Sequence, residues 1–223
     1  MRTGMLRALI AAREAGRASV LLTPLDGSLQ RLLDARGLEL LGHTDPELAA
    51  VARQSLEQDR TLAATSLGVE VLVTPHNPPL RLLIVGAVHI AEVLARLARE
   101  AGYDVTVVDP RTAFVRPARF PHVELIAQWP QEALPWFAPD ARTAVVLLTH
   151  DPKIDDPALV EVLRSPAFYV GALGSTRTHA RRLERLAAQG VAPEQLARIH
   201  GPAGLPIGAR TPAEIALSIL AQI

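Results

Sequence analysis

The chain has 223 residues, 49% hydrophobic and 21% charged, with 23 basic residues balancing 23 acidic ones. This is the composition of a globular protein with room for one large or two modest cores, and without a basic excess or a basic patch interleaved with aromatics it excludes nucleic acid as an expected partner. No apolar run approaches the ~18 residues needed to span a bilayer, and the absence of cysteine excludes disulfides, thiolate metal sites, iron–sulfur clusters and persulfide carriage on this chain.

Glu14 interrupts the amino-terminal segment where a signal peptide would stay apolar, so a cytoplasmic protein is expected. Met5 to Ala15 has the spacing of an amphipathic helix, stopped at Gly16 and followed by an apolar strand from Ala18 to Leu22. Asp26-Gly27 marks a turn, and Leu29 to Leu41 is read as one or two short strands broken at Ala35-Arg36-Gly37. Thr44 or Asp45 then caps a helix with Pro46 in its first turn, running to about Gln58, and Val69 to Val73 is a further strand. The proline-rich stretch Thr74 to Pro79 continues neither a helix nor an inner strand, and a domain boundary is placed there. Residues 1–77 would form a small α+β domain near the lower size limit for independent stability, leaning on the larger domain or on a second copy of itself.

From Arg81 the pattern changes. Leu82 to Val85 is a continuous apolar run, as in a parallel strand buried on both faces, and it stops at Gly86. Ala91, Leu94, Ala95 and Ala98 recur at helical spacing before Gly102, and Val105, Val107 and Val108 form a second strand ending in Asp109. Strand, glycine turn, helix and strand make the first unit of a dinucleotide-binding fold, with a helix N-terminus able to hold phosphate and Asp109 placed for ribose hydroxyls. The G-x-G-x-x-G/A pattern falls on Gly86, Val88 and Ala91, so its second glycine is replaced by a β-branched residue that obstructs close approach of a pyrophosphate.

Further strands are expected at Glu124 to Ala127, Thr143 to Leu148 and Phe168 to Val170, with Trp129, Trp136 and Phe137 packed on the flank of the sheet. Helices are expected at Pro157 to Leu163, at Thr178 to Gln189 and after a Thr211 cap with Pro212 and Glu214. Alternating strands and helices over 78–223 define an α/β fold: a Rossmann-like parallel sheet with helices on both faces, whose ligands bind at the carboxyl ends of the strands. Gly86, Ala87, Val88, His89, Asp109, Arg111, His150, Gly171, Gly174 and Ser175 follow directly after apolar strands and converge on that edge. Gly171 and Gly174 either form a second anion-holding turn or serve only a tight bend, while Arg181, Arg182 and Arg185, with Glu184 among them, read as a solvated helix face. There is no nucleophile elbow, P-loop or zinc spacing, so no catalytic residue is assigned.

The segments PPLRLLIVGAVHIA, VTVVDPRTAF followed by RFP, LLTHD, YVGALGSTRTHARRLERLAAQG and IHGPAGLPIGARTPAEIALSILAQI resemble, in order, the xanthine dehydrogenase accessory protein family, XdhC/CoxI. The resemblance implies a non-catalytic chaperone that binds molybdenum cofactor, a phosphate-bearing pterin. It further implies assistance in maturing that cofactor and inserting it into a molybdenum hydroxylase client such as xanthine or carbon monoxide dehydrogenase. The chain departs from the family pattern in having Gly86-Ala87-Val88-His89-Ile90 where GAGHV is usual, and in lacking the glycine-rich GGC motif of the N-terminal domain between Leu29 and Glu47. The competing reading is an NAD(P)-dependent oxidoreductase, in which Asp109 takes the ribose and Arg111 leaves room for a 2′-phosphate.

Overall fold

The computed structural model describes residues 3–223. The chain divides into two compact units, the first ending at Pro79 and the second running from Leu80 to Ile223. None of the helices described is long and apolar enough to cross a membrane.

In the first unit, α1 (Thr3–Glu14) precedes strands β1 (Ser19–Pro24) and β2 (Arg31–Leu33), helices α2 (Ala35–Thr44) and α3 (Pro46–Gln58), and strands β3 (Leu62–Ser66) and β4 (Val69–His76). The strands form an antiparallel sheet in the order β2-β1-β4-β3. Val71 and Val73 alternate with exposed Glu70 and Leu72, so one face of β4 packs with Val20, Leu22, Leu33, Leu38, Leu41, Leu48 and Ala49. Two expectations are corrected here. The segment after Ala35 is a helix, because the Asp34 carboxylate accepts the Gly37 N–H at 2.9 Å as its N-cap and Leu38 and Leu41 then face the core. Strand β4 also continues through Pro75: beyond Val73 it has left β3 and pairs with β1 alone, and a proline is tolerated where one side of a strand is unpaired.

The second unit comprises β5 (Arg81–Val85), α4 (His89–Glu100), β6 (Asp104–Val108), β7 (Glu124–Ile126), α5 (Pro130–Phe137), β8 (Thr143–Leu147), α6 (Pro152–Leu163), β9 (Tyr169–Ala172), α7 (Thr176–Ala188), α8 (Pro193–Leu196), β10 (Ile199–His200) and α9 (Pro212–Gln222). Its six strands lie in the order β10-β9-β8-β5-β6-β7, all parallel. The chain runs outward from β5 to β7 and then restarts at β8 on the other side of β5. The topological switch point therefore lies between the ends of β5 and β8, where ligands of doubly wound sheets bind.

Strand β5 shows why the sheet is covered on both faces. Leu83 and Val85 join a core with Ala133, Leu134, Phe137, Leu159, Val162 and Leu186 from α5, α6 and α7. Leu82 and Ile84 point the other way, into Ala91, Leu94, Ala95, Ala98, Ala216 and Ile219 of α4 and α9. All four β5 side chains are fully buried, each contributing about 1.5–3 kcal/mol of transfer free energy. The tryptophans do not share in this packing. Helix α5 turns Ala133, Leu134 and Phe137 inward, leaving Trp136 70% exposed and Trp129 42% exposed.

Helix α9 begins with a complete capping box: the Glu214 N–H donates to Thr211 Oγ1 at 3.2 Å, and the Thr211 N–H donates to the Glu214 carboxylate at 2.9 Å. Thr211→Ala is expected to destabilise this unit by about 1 kcal/mol, as for other N-cap deletions. Urea unfolding followed by tryptophan fluorescence measures it directly, since both tryptophans lie in this unit; an unchanged midpoint would show that packing alone holds α9.

Candidate functional site at the carboxyl edge of the parallel sheet

The first glycine turn is built around Asp109. Its carboxylate is fully buried at the end of β6 and accepts four hydrogen bonds: from the Ala87 N–H at 2.8 Å, and from the Arg111 N–H, Nε and Nη2 at 2.9, 2.9 and 2.7 Å. Burial alone would raise its pKa, but the Arg111 side chain, the Arg111 N–H and the Ala87 N–H together hold it below the ordinary carboxylate range. Arg111 in turn rests over the Phe114 ring at 4.6 Å. Asp109, expected to face ribose, is in this conformation the anchor of the turn.

Gly86 is required on two counts. It has φ +112°, and a Cβ there would stand 2.6 Å from Thr149 Cγ2, so the loop after β8 lies directly against the turn after β5. Its N–H donates to the Val108 carbonyl at 2.8 Å. Val88 is the N-cap of α4 and makes no side-chain cap bond, and the exposed His89 follows it with Nδ1 3.2 Å from Glu92 Oε1.

After β8, Thr149 donates through Oγ1 to the Asp155 carboxylate, and exposed His150 has a left-handed backbone with φ +63°. Asp151 caps α6 by accepting the Lys153 N–H at 2.9 Å. After β9, Gly174 has φ +150°, and Ser175 caps α7 by accepting the Thr178 N–H at 3.1 Å. Gly171 belongs to β9 itself rather than to the turn: a Cβ there would strike the Tyr169 ring, whose hydroxyl donates to Gln222 at 2.7 Å. Its smallness serves packing. Among the described residues no group of three or more histidine, aspartate and glutamate side chains has metal-ligand spacing.

The residue least anticipated is Arg182. Charge patterning on α7 predicts a solvated face, yet Arg182 is only 2% exposed. Its Nη2 donates to the Leu173 carbonyl at 2.9 Å and lies 3.7 Å from Asp155 Oδ2, while Nε and Nη1 are buried without a hydrogen-bond partner. Desolvation pushes its pKa down, and desolvation likewise pushes that of buried Asp155 up. One turn along, Arg185 makes a bidentate pair with Asp156 at 2.6 and 2.9 Å, joining α7 to α6. Only Arg181 of the three is exposed. The sequence signal that would have singled out Arg182 is helical phase, because it lies four residues before the buried Leu186.

A parallel six-stranded sheet whose strand-end loops carry two glycine-containing turns at helix N-termini defines a Rossmann-type ligand-binding unit. Residues 82–223 match the XdhC Rossmann domain, and the chain belongs to that family. It is 34% identical over 147 residues to the molybdenum cofactor insertion chaperone PaoD of Escherichia coli, covering 66% of this chain and 40% of PaoD. It is also 34% identical over 148 residues to a probable xanthine dehydrogenase subunit of Bacillus subtilis, covering 66% of this chain and 43% of that one. A longer match, 29% over 197 residues, is to YqeB of Escherichia coli and covers 88% of this chain and 36% of YqeB. The chain thus spans less than half the length of each of these curated relatives. A crystal structure described as a xanthine dehydrogenase from Bacillus halodurans shares the fold, with TM-score 0.59 and 21% identity over 98% of this chain and 91% of that one.

The Asp109 anchor has a pH signature. Its pKa is lowered by folding, so its stabilisation is fully present above the unfolded value of about 3.9 and is lost as pH falls through the folded value. Asp109→Asn is expected to cost about 1.5–3 kcal/mol at neutral pH, the range for hydrogen bonds to a charged group. The gap between wild type and variant should close on acidification below pH 4, as read from urea midpoints across the range; a gap constant with pH would contradict the assignment.

Proposed function

We propose that this chain is an assembly factor that binds molybdenum cofactor at the carboxyl edge of its parallel sheet and assists its maturation and insertion into a molybdenum hydroxylase client. The observation that carries the reading is the family membership of 82–223 together with the 34% identity to a molybdenum cofactor insertion chaperone. The local chemistry suits an anionic, phosphate-bearing ligand. Gly174 sits at a helix N-terminus where a Cβ would press on Thr178 at 3.2 Å, and the buried Arg182 guanidinium lies behind it with two unpartnered nitrogens. Once delivered, the cofactor supplies redox chemistry to its client, whereas this chain's residues bind and orient it. The proposed holding residues are Gly86, Ala87, Val88, His89, Asp109, Arg111, His150, Gly174 and Ser175, with Gly171 acting through the packing of Tyr169. The first unit would dock the client or a second protomer, and the setting would be the cytoplasm.

An NAD(P)-dependent oxidoreductase would draw on the same edge, but it needs Asp109 to release Ala87 and Arg111 before it can take a ribose. The test is reconstitution of a cofactor-free molybdenum hydroxylase with molybdenum cofactor, with and without this protein. The expected result is a larger active fraction when the protein is present, and no such gain from Gly174→Ala. Equal recovery with and without wild-type protein would reject the assembly role.

A further inference from the structure

Three long helices of the second unit present their N-termini at the carboxyl edge of the sheet, and they differ in what they offer an anion. At α4 the Gly86 and Ala87 N–H groups are taken by Val108 and Asp109; those of Val88, His89, Ile90 and Ala91 meet no acceptor among the described residues, but the β-branched Val88 side chain stands at the N-cap and the first turn carries the acidic Glu92. At α6 the N-cap is Asp151 and the first turn carries Asp155, so two carboxyl groups occupy the positive end of the helix. Helix α7 has no acidic residue in its first turn.

At α7 the backbone is open as well. Ser175 satisfies the Thr178 N–H and its carbonyl accepts that of His179, but the four consecutive N–H groups of Gly174, Ser175, Thr176 and Arg177 donate to no acceptor among the described residues. A run of free amides entering a helix from a glycine with positive φ is an anion-binding concavity. The second, independent observation is Arg182. It is almost wholly buried, and its side chain runs back along α7 toward the turn. There Nη2 bonds the Leu173 carbonyl and stands 3.8 Å from where a Gly174 Cβ would be, with Nε and Nη1 unpartnered. Its nearest carboxylate, Asp155, is 3.7 Å away and already engaged by Thr149, and Asp156 is held by Arg185. A guanidinium in so dry a position, incompletely paired, projects its charge onto the adjacent turn.

We infer that the turn Gly174–Arg177, backed by buried Arg182, is the phosphate subsite of this protein, and that the Gly86 turn, the usual phosphate seat of such folds, does not serve as one. The ligand group is a phosphomonoester or pyrophosphate. It lies against the free amides, while Arg182 acts from behind as a positioning residue that fixes the Leu173 carbonyl and supplies the countercharge without touching the ligand. This inference rests on the reading that the carboxyl edge holds a phosphorylated cofactor, and it names where the phosphate goes.

Amide chemical shifts of the full chain, titrated with inorganic pyrophosphate, test it. The amides of Gly174, Ser175, Thr176 and Arg177 should move while those of Val88, His89 and Ile90 stay in place. Movement at 88–90 alone, or no movement at millimolar pyrophosphate, overturns the subsite. Arg182→Met and Gly174→Ala should each weaken pyrophosphate binding about tenfold, against less than about threefold for Arg181→Met, which removes an exposed charge from the same helix. Equal losses for Arg181→Met and Arg182→Met would reduce Arg182 to net charge and overturn its assigned role. Where Arg182→Met does not fold, the wild-type titration decides the subsite.

A parallel titration with intact molybdenum cofactor separates the two claims. Cofactor binding that leaves 174–177 unmoved removes the subsite and keeps the assembly-factor reading. Pyrophosphate at 174–177 with no cofactor binding does the reverse.

Discussion

Four hydrogen bonds converge on one carboxylate that water does not reach. Asp109 closes the end of β6 by holding the Ala87 N–H and three donors of Arg111, and so fixes the turn after β5 in space. A buried charge of this kind persists only when each of its oxygens is well partnered, since an unpaired carboxylate in such a position would be strongly destabilising. The turn it fixes brings Gly86 against Thr149, and Thr149 reaches Asp155 in the first turn of α6. From Asp155 the contact passes to Arg182 and so to the end of β9. The loops on both sides of the switch point are therefore linked through side chains whose placement depends on the β5–β6 junction.

This linkage has a chemical consequence for a dinucleotide-like fold. The acidic residue at the end of the second strand is normally free to take ribose hydroxyls, and the first glycine turn normally offers its amides to pyrophosphate. Here the acid and the amide are bonded to each other. A run of open amides backed by a buried, incompletely paired cation lies two strands away, at the turn between β9 and α7. A Rossmann sheet can offer an anion site elsewhere along the same edge, because every parallel strand end followed by a helix provides the same backbone chemistry.

Much of the fold was legible in the residues. The unbroken run Leu82 to Val85 marked a strand buried on both faces, and Thr211, Pro212 and Glu214 marked a helix start that proved to be a full capping box. What escaped were features whose local signals compete. Gly37 reads as a break, yet it sits in the first turn of α2, where Asp34 satisfies its N–H and where its lack of a side chain lets the helix close on Leu33. Helix α5 carries Pro130 at its first position and Pro135 within its eight residues, which hides the inward phase of Ala133, Leu134 and Phe137. Strand β3 is built from Leu62, Ala63, Ala64, Thr65 and Ser66, too small and mixed to show a clear alternation. At the site, the convergence of strand-end residues followed from topology. The state of Asp109 and Arg182 did not: Arg111, two residues on, reads as one more strand-end group rather than as the donor that occupies Asp109, and the carboxylate facing Arg182 stands on α6, far from it in the chain.

On our reading this edge holds a molybdenum-bearing pterin, and native mass spectrometry of the purified protein, compared with a denatured control, addresses that most directly. The expected result is a retained small molecule of molybdopterin mass, or of its nucleotide-joined form, released on denaturation. A retained mass of NAD or NADP in its place would contradict that reading and make the edge an ordinary dinucleotide site.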